Sequence, residues 1–347
     1  MADSFSVTSV TDGETGEGVR YAVTTRSHGE RERMRRRLSI VFVVVCVCVL
    51  ATPTWSVGLT GEGPRARKTS YTVLSRSGGA VRVAALEWIP YRATTVLLAL
   101  HGSGGVKENN WGPLVVPGYS FALEEYAEGR ATVAIDLPGY GESGGNPYVN
   151  GTEDLAFVVD QIADMLHSRF EHVVGVGHSL GALVLNIGQA AFASFDAIIP
   201  AGYSHGGASE EFKSTCGQLA CPNIRKVLFS SYADRRVVED FVWRLRPPKP
   251  TQVLNVSFYG GDPFSTPHLG PAPDDLTSAV TVPVLILLGR DDFVFDTSKY
   301  AEEPSHYPSS PDVKLVVLPR TGHAVFHHLN HRYVDKVIGD WLTKRKL

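Results

Sequence analysis

The chain has 347 residues, of which 43% are hydrophobic and 20% are charged, and its formal net charge is −3. This balance is typical of a soluble globular protein, and it argues against a nucleic-acid partner because no extended basic face follows the N-terminal segment. The length allows one large α/β domain with an insertion, or two domains.

The first 58 residues differ from the rest of the chain. Residues 1–33 are mostly polar and are predicted to form a disordered extension. A basic run at 31–37, an apolar run at 38–51 and a small, polar stretch then follow in the order of a secretory signal. We therefore predict a signal peptide or signal anchor at residues 34–58.

The fate of this leader is left open by the sequence. Its apolar run is shorter than the roughly 20 residues that usually cross a bilayer. Cleavage would give a secreted protein, whereas retention would give a membrane tether through residues 38–55. In both cases the remaining chain is expected on the lumenal or extracellular side. A start at Met34 rather than Met1 would give a conventional signal peptide.

Two further patterns favour export. Glycosylation sequons begin at Asn150 and Asn255. Cys216 and Cys221 enclose a short loop and are predicted to form a disulfide in an oxidising compartment. A metal site at this cysteine pair is disfavoured, because no second Cys/His pair lies at ligand spacing.

The chain after the leader alternates between strand and helix patterns. Two antiparallel strands are predicted first, and continuous apolar runs then predict strands buried on both faces. The predicted strands are 71–76, 80–89, 94–101, 131–137, 172–176, 197–200, 282–288 and 313–318, and the principal helices are 119–129, 151–170, 180–192 and 325–344. This order predicts an α/β fold with a mostly parallel central sheet and helices on both faces.

The regular alternation stops between residues 202 and 280. We predict a lid or cap insertion there, over the carboxyl edge of the sheet, and a core built from residues 65–201 and 281–347. Helical pieces are expected near 222–232 and 234–244. The aromatic residues of the insertion either line an apolar acyl pocket or form its small core; they are Tyr203, Phe212, Tyr232, Phe241, Trp243, Phe258 and Phe264.

Residues 173–182 carry the pattern most closely tied to chemistry. A valine-rich strand ends in Gly-His-Ser-Leu-Gly and a helix pattern follows, so Ser179 is expected at the tip of a sharp turn. The flanking glycines permit a strained backbone there. A second Gly-x-Ser-x-Gly match around Ser143 leads into Asn-Pro and opens no helix.

A serine nucleophile needs a base, an acid that orients the base, and N–H donors for the oxyanion. His323, directly after the last strand, is the candidate base. The candidate acid follows the strand 282–288; spacing favours Asp292, while Asp291 and Asp296 remain open. As separate residues, a loop histidine and turn aspartates would be ordinary.

The glycine-rich loop after the strand 94–101 is the candidate oxyanion loop. Its glycines let main-chain N–H groups point into a site, and the N–H of Leu180 would be the second donor. A flexible loop is the plainer interpretation. The interpretation as a phosphate-binding loop has less support than either of these, because no Gly-Lys-Ser/Thr sequence follows.

The order of a His-Gly loop, Asp-x-x-Gly-x-Gly-x-Ser, Gly-x-Ser-x-Gly, Asp and Gly-His resembles the α/β-hydrolase superfamily of serine esterases and lipases, over residues 70–345. The resemblance implies that Ser179 is the nucleophile, Asp292 the acid and His323 the base. It also implies an oxyanion hole formed by the main-chain N–H groups of Ser103 and Leu180. Asp136 then belongs to a structural loop.

These observations predict a serine hydrolase that cleaves small, apolar carboxylic esters through an acyl-enzyme, with no cofactor. Amide, peptide or thioester cleavage by the same triad is an alternative, and so is a non-catalytic binding protein. Among the remaining histidines, His327 and His331 have metal-ligand spacing, but with His328 they are predicted to lie on a solvated helix face. Oligomeric state is left open.

Overall fold

The computed structural model describes residues 64–145, 151–216, 223–245 and 274–347. The N-terminal extension, the leader with its possible membrane tether, Asn150, Asn255 and Cys221 lie outside these ranges, so the predictions made for them remain predictions. Within the described ranges, no helix has both the length and the apolar character needed to cross a membrane.

A sheet of eight strands forms the centre of the described chain, in the order β1-β2-β4-β3-β5-β6-β7-β8. Strand β2 runs antiparallel to β1 and β4, and all other neighbours are parallel. The mostly parallel sheet predicted from the sequence is therefore confirmed. The strands are β1 (Arg67–Leu74), β2 (Ala80–Trp88), β3 (Thr95–Leu100), β4 (Ala131–Ile135), β5 (His172–His178), β6 (Ala197–Ala201), β7 (Val284–Gly289) and β8 (Val313–Leu318).

Helices connect these strands in the alternating order that parallel neighbours require. They are α1 (Lys107–Trp111), α2 (Phe121–Ala127), α3 (Gly151–His167), α4 (Leu180–Phe192), α5 (Glu210–Cys216), α6 (Ile224–Leu228), α7 (Arg235–Arg244), α8 (Asp274–Thr277) and α9 (His331–Arg345). Two 3₁₀ segments, Thr297–His306 and Val325–His327, complete the described elements.

Strand β3 shows why the central strands are apolar throughout. Val96 and Leu98 belong to the core that includes α3 and α4, whereas Leu97 and Ala99 belong to the core that includes α2 and α9. Successive side chains of a strand point to opposite faces. The helices therefore cover both faces of the sheet, as predicted.

The predicted helix 325–344 is interrupted. The chain leaves the 3₁₀ segment at His328, where φ is −99° and ψ is 169°, and α9 begins only at His331. Two hydrogen bonds fix the break: His328 Nε2 accepts from the main-chain N–H groups of Gly322 and Ser230, each at 3.0 Å. Tertiary partners thus override the helix periodicity here.

The solvated helix face predicted for three histidines is wrong. His327, His328 and His331 are all buried. The ring of His327 packs against Phe241, and the ring of His331 packs against Tyr119. The apolar partners come from distant segments, so the local sequence pattern did not indicate this burial.

The described parts of residues 202–280 form four short helices between β6 and β7. Phe229 and Phe241 form a small buried cluster with Ala324, the residue after His323. The main-chain N–H of Ala324 also donates to the carbonyl of Leu228 at 2.7 Å. This segment therefore packs beside the predicted base, while its role as a lid and the proposed domain boundaries remain predictions.

Candidate active site

Ser179 lies between β5 and α4 with φ 53° and ψ −115°, a conformation that side chains rarely allow. Both flanking glycines are required by close packing. A Cβ on Gly177 would lie 2.4 Å from the carbonyl oxygen of Gly181, and one on Gly181 would lie 2.3 Å from that of Leu100. The turn is held by a 2.8 Å hydrogen bond from the N–H of Ser179 to the carbonyl of Ala201.

The structure brings Ser179, His323 and Asp292 together in one hydrogen-bonded row. His323 Nε2 is 2.9 Å from Ser179 Oγ, and His323 Nδ1 is 3.0 Å from Asp292 Oδ2. Because a carboxylate only accepts, Nδ1–H donates to Asp292, which leaves Nε2 to accept the serine proton. His323 and Asp292 are buried, whereas Ser179 is partly exposed. The row can therefore move a proton away from the Ser179 hydroxyl.

The three candidate aspartates have different surroundings. Asp292 Oδ1 accepts the main-chain N–H of Val294 at 2.7 Å, so Oδ2 faces His323. Asp291 is exposed. Asp296 instead accepts the N–H of Ser298 at the start of the 3₁₀ segment Thr297–His306. Of the three, Asp292 has the geometry that the acid requires.

Two buried histidines, to which the sequence analysis gave no role in the site, hold the loop of His323. His178 Nε2 donates to the carbonyl oxygen of His323 at 2.8 Å. Burial lowers the pKa of His178 well below its usual value. On the other side, His328 accepts the N–H of Gly322. Burial lowers the pKa of His328 to about 4.

Tyr300 is a third residue missed by sequence reasoning. It is buried on the 3₁₀ segment Thr297–His306 beside Asp292. Burial raises the pKa of the Tyr300 phenol, and the negative charge of Asp292 raises it further. The phenol therefore stays protonated next to the carboxylate. In the sequence, Tyr300 is a single tyrosine in a polar stretch, and this pattern does not indicate that it lies beside Asp292.

The glycine-rich loop lies against the nucleophile. A Cβ on Gly102 would be 3.1 Å from the Cβ of Ser179. The carbonyl of Gly102 accepts the N–H of Gly105 at 3.0 Å and the ring Nδ1–H of His101 at 2.7 Å. His101 Nε2 in turn accepts the N–H of Leu137 at 3.0 Å.

These bonds fix the direction of the peptide that joins Gly102 to Ser103. In a planar trans peptide the N–H points away from the carbonyl, so a fixed Gly102 carbonyl also fixes the Ser103 N–H. Leu180 is the first residue of α4, so its N–H has no partner one turn earlier in the helix. The two donors predicted from the sequence thus belong to segments that border Ser179.

Asp136 holds the start of α1, the helix that follows the glycine-rich loop. Its carboxylate accepts the main-chain N–H of Lys107 at 2.9 Å and the Lys107 ammonium at 2.7 Å, and it also accepts the N–H of Glu142 at 2.8 Å. These bonds fit the structural role predicted for Asp136. The competing serine, Ser143, is buried and donates its hydroxyl to the Asp136 carbonyl at 2.7 Å.

The aromatic residues of the insertion divide into two groups. Tyr203 and Phe241 are buried and Phe212 is partly buried against the core, which favours a role in packing for all three. Tyr232 and Trp243 are exposed, the latter to 71%. Phe258 and Phe264 lie outside the described residues.

Known proteins similar to this chain include several esterases and lipases. The esterase of Thermogutta terrifontis superposes with a TM-score of 0.59 at 20% identity, covering 80% of this chain and 98% of that one. For the naproxen esterase (carboxylesterase NP) of Bacillus subtilis the TM-score is 0.57 at 18% identity, with 80% and 92% covered. For the monoacylglycerol lipase of Paleococcus ferrophilus it is 0.58 at 17% identity, with 76% and 98% covered.

A curated relative is the dihydrolipoyllysine-residue acetyltransferase component of the acetoin cleaving system of Pseudomonas putida. It is 28% identical over 242 residues, which are 67% of this chain and 59% of the relative. This chain therefore spans about three fifths of that protein's length.

The family model described as "Alpha/beta hydrolase family" matches residues 96–336, which include Ser179, Asp292 and His323. This match covers well over half of the chain, and the same fold is found in the similar solved structures. The chain belongs to the alpha/beta hydrolase family.

Proposed function

We propose that the protein is a serine hydrolase that cleaves carboxylic esters through a covalent acyl-enzyme. The observation that carries this proposal is the unbroken row from Ser179 Oγ through both ring nitrogens of His323 to Asp292, with distances of 2.9 and 3.0 Å. These distances lie within hydrogen-bond reach for a nucleophile and its base. The positive φ of Ser179 adds support, because strained backbone is concentrated at functional sites.

Acylation begins when Ser179 Oγ attacks the carbonyl carbon of the ester. His323 Nε2 takes the hydroxyl proton, and Asp292 stabilises the imidazolium that forms. The carbonyl oxygen becomes an oxyanion, which the N–H groups of Ser103 and Leu180 bind in this proposal. His323 then gives its proton to the leaving alkoxide, the carbon–oxygen bond breaks, and the acyl group remains on Ser179.

Deacylation repeats these steps with water as the nucleophile. His323 removes a proton from the water as it attacks the acyl carbon, and a second oxyanion forms. When this intermediate collapses, the proton passes from His323 to Ser179 Oγ and the carboxylic acid leaves. Helix α4 begins at Leu180, directly after Ser179, so the positive end of this helix favours the negative charge in both halves of the reaction.

The proposed substrate is a small, apolar ester. Support comes from the esterases and lipases that share the fold. Amides and thioesters would react through the same groups, and hydrolysis rates on matched ester, thioester and anilide substrates separate these classes.

A fluorophosphonate probe tests the activated serine directly. We expect the wild-type protein to be labelled and Ser179→Ala to lose both labelling and ester hydrolysis, with kcat reduced on the order of 10⁴-fold or more. Ser103→Ala is the matched control: its side chain is exposed and only its main-chain N–H is assigned a role, so labelling should persist. Labelling retained by Ser179→Ala would reject the nucleophile. A folded wild-type protein without labelling would favour the non-catalytic alternative.

A further inference from the structure

Three potential metal ligands meet away from the nucleophile, in two segments of the chain. His205 lies in the loop after β6, and Glu303 and His306 lie on the 3₁₀ segment Thr297–His306. One ligand atom from each residue lies within 4.8 Å of those of the other two. Residues three apart eclipse each other on a 3₁₀ helix, so Glu303 and His306 share one face.

The side chains of this cluster are already oriented by outer hydrogen bonds. Glu303 Oε1 accepts from Ser204 Oγ at 2.5 Å and from the main-chain N–H of His205 at 2.7 Å. Its other oxygen, Oε2, lies 2.9 Å from His205 Nδ1. On the far side of the ring, His205 Nε2 lies 3.5 Å from Thr277 Oγ1. The bonds to Oε1 orient the carboxylate from outside the ligand atoms, as second-shell bonds do. The contact between Nδ1 and Oε2 joins two of the ligands themselves, so a bound cation would displace the proton that they share.

Two imidazoles and one carboxylate form a donor set suited to zinc and similar divalent ions, with a further position open to water. His205 and Glu303 are buried, while His306 is partly exposed and offers a route of entry. The His306 ring stacks on His205 with centroids 4.2 Å apart and planes tilted by 14°. Metal binding therefore requires the His306 ring to turn so that its nitrogen points towards the other two ligands.

We propose that His205, Glu303 and His306 bind one divalent cation of the zinc type. The cation links the loop after β6 to the 3₁₀ segment that carries Tyr300, and it takes no part in ester cleavage. Because the ligands are brought together only by folding, the cation binds the native state and stabilises it. Zinc is therefore expected to raise the melting temperature as well as to bind.

The test uses the full-length protein after treatment with a chelator and its removal. Calorimetric titration with Zn²⁺ should give one site per chain, and Co²⁺ should give visible absorption bands typical of inner-sphere binding by nitrogen. His306→Ala and Glu303→Gln should each weaken zinc binding by about 10-fold or more and remove the rise in melting temperature. His172→Ala is the matched control, because His172 is a partly exposed histidine only 4.0 Å from the carboxylate of Asp196.

His306→Ala is the decisive variant, since its partly exposed position tolerates truncation better than the buried Glu303. Circular dichroism of this variant verifies the fold. The proposal is overturned if the wild-type protein binds no stoichiometric zinc, or if His306→Ala binds it as tightly as the wild type. Loss of binding in His323→Ala but not in His306→Ala would also overturn it, because the ion would then lie at the triad.

Discussion

Asp292 differs from its neighbour Asp291 in one decisive respect, which is the contact of its carboxylate with the base. Asp292 Oδ2 lies 3.0 Å from His323 Nδ1, whereas Asp291 is exposed to solvent. The adjacent carboxylates therefore have the same charge and chemical type but different environments. This pair separates the effect of a general negative charge from that of a specific hydrogen bond.

Asp292→Asn should lower kcat for ester hydrolysis by about 10⁴-fold. An amide at this position can donate to Nδ1 and favour the wrong tautomer of His323, and it no longer stabilises the imidazolium. Asp291→Asn should change kcat by less than about threefold, because an exposed charge is screened by solvent. Steady-state kinetics on one ester substrate measure both. Equal losses in the two variants would contradict the assignment of Asp292.

The sequence predicted Ser179, Asp292 and His323 together because each follows a predicted strand, in the order of the family that the chain resembles. The carboxyl ends of parallel strands meet at one edge of a sheet, which explains why the three side chains form one row. The sequence did not predict His178 or His328 as partners of the His323 loop. His178 lies 145 residues from His323 in the chain, and His328 bonds Ser230 across 98 residues. Contacts between residues so far apart in the chain produce no periodicity or spacing in the sequence.

At the scale of elements, α4 packs unusually closely on β3, and Gly181 makes this approach possible. The carbonyl oxygen of Leu100 would lie 2.3 Å from a Cβ at Gly181. Gly188 lies two turns further along the same helix and has space, since a Cβ there would meet nothing nearer than Ser194 Oγ at 3.8 Å. The two glycines therefore have different physical reasons to be present.

Gly181→Ala should destabilise the protein by about 3 kcal/mol or more, because the new methyl group collides with main-chain atoms that cannot turn aside. Gly188→Ala should be neutral or stabilising by up to about 1 kcal/mol, because alanine is the better helix former. Urea unfolding gives both free energies of unfolding. A Gly181→Ala protein as stable as the wild type would show that α4 can shift without cost.

Two elements were predicted with the bounds that the structure has. The strand at residues 313–318 was predicted with its observed bounds, as was the helix at 180–192. The short helix α1 and the 3₁₀ segment Thr297–His306 were not predicted, because they are too short or too polar to show a helical period. The interruption at His328 depends on partners from two other segments, which the local sequence does not contain.

At the scale of the whole molecule, buried histidines connect stability to pH. Burial lowers the pKa of His327 to about 3 and that of His328 to about 4. Between these values and the usual pKa of about 6.5, the unfolded chain binds protons that the folded chain does not. Their contribution to stability is therefore complete above pH 6.5 and is lost as the pH falls towards 4.

Glu125 has the opposite effect on how stability changes with pH. Burial raises its pKa to about 7, although Arg130 beside it favours the charged form. Between pH 4.5 and 7 the folded chain holds a proton on Glu125 that the unfolded chain has released, so this group stabilises the fold as the pH falls. Asp335, whose pKa is also raised by burial, has the same sign. The buried histidines and these carboxyl groups thus have opposite effects on how stability changes with pH.

His328→Gln should flatten the dependence of stability on pH between 7 and 5. The glutamine side chain can still accept hydrogen bonds from Gly322 and Ser230, but it cannot take up a proton in the unfolded state. The wild-type free energy of unfolding should therefore fall more steeply than that of the variant, by up to about 1.4 kcal/mol per pH unit. Urea unfolding at pH 7, 6 and 5 measures both slopes, and the carboxyl groups whose pKa is raised are present in both proteins, so they do not account for a difference between the slopes. Parallel slopes would mean that His328 is free to take up a proton in the folded protein, which its two N–H partners at 3.0 Å oppose.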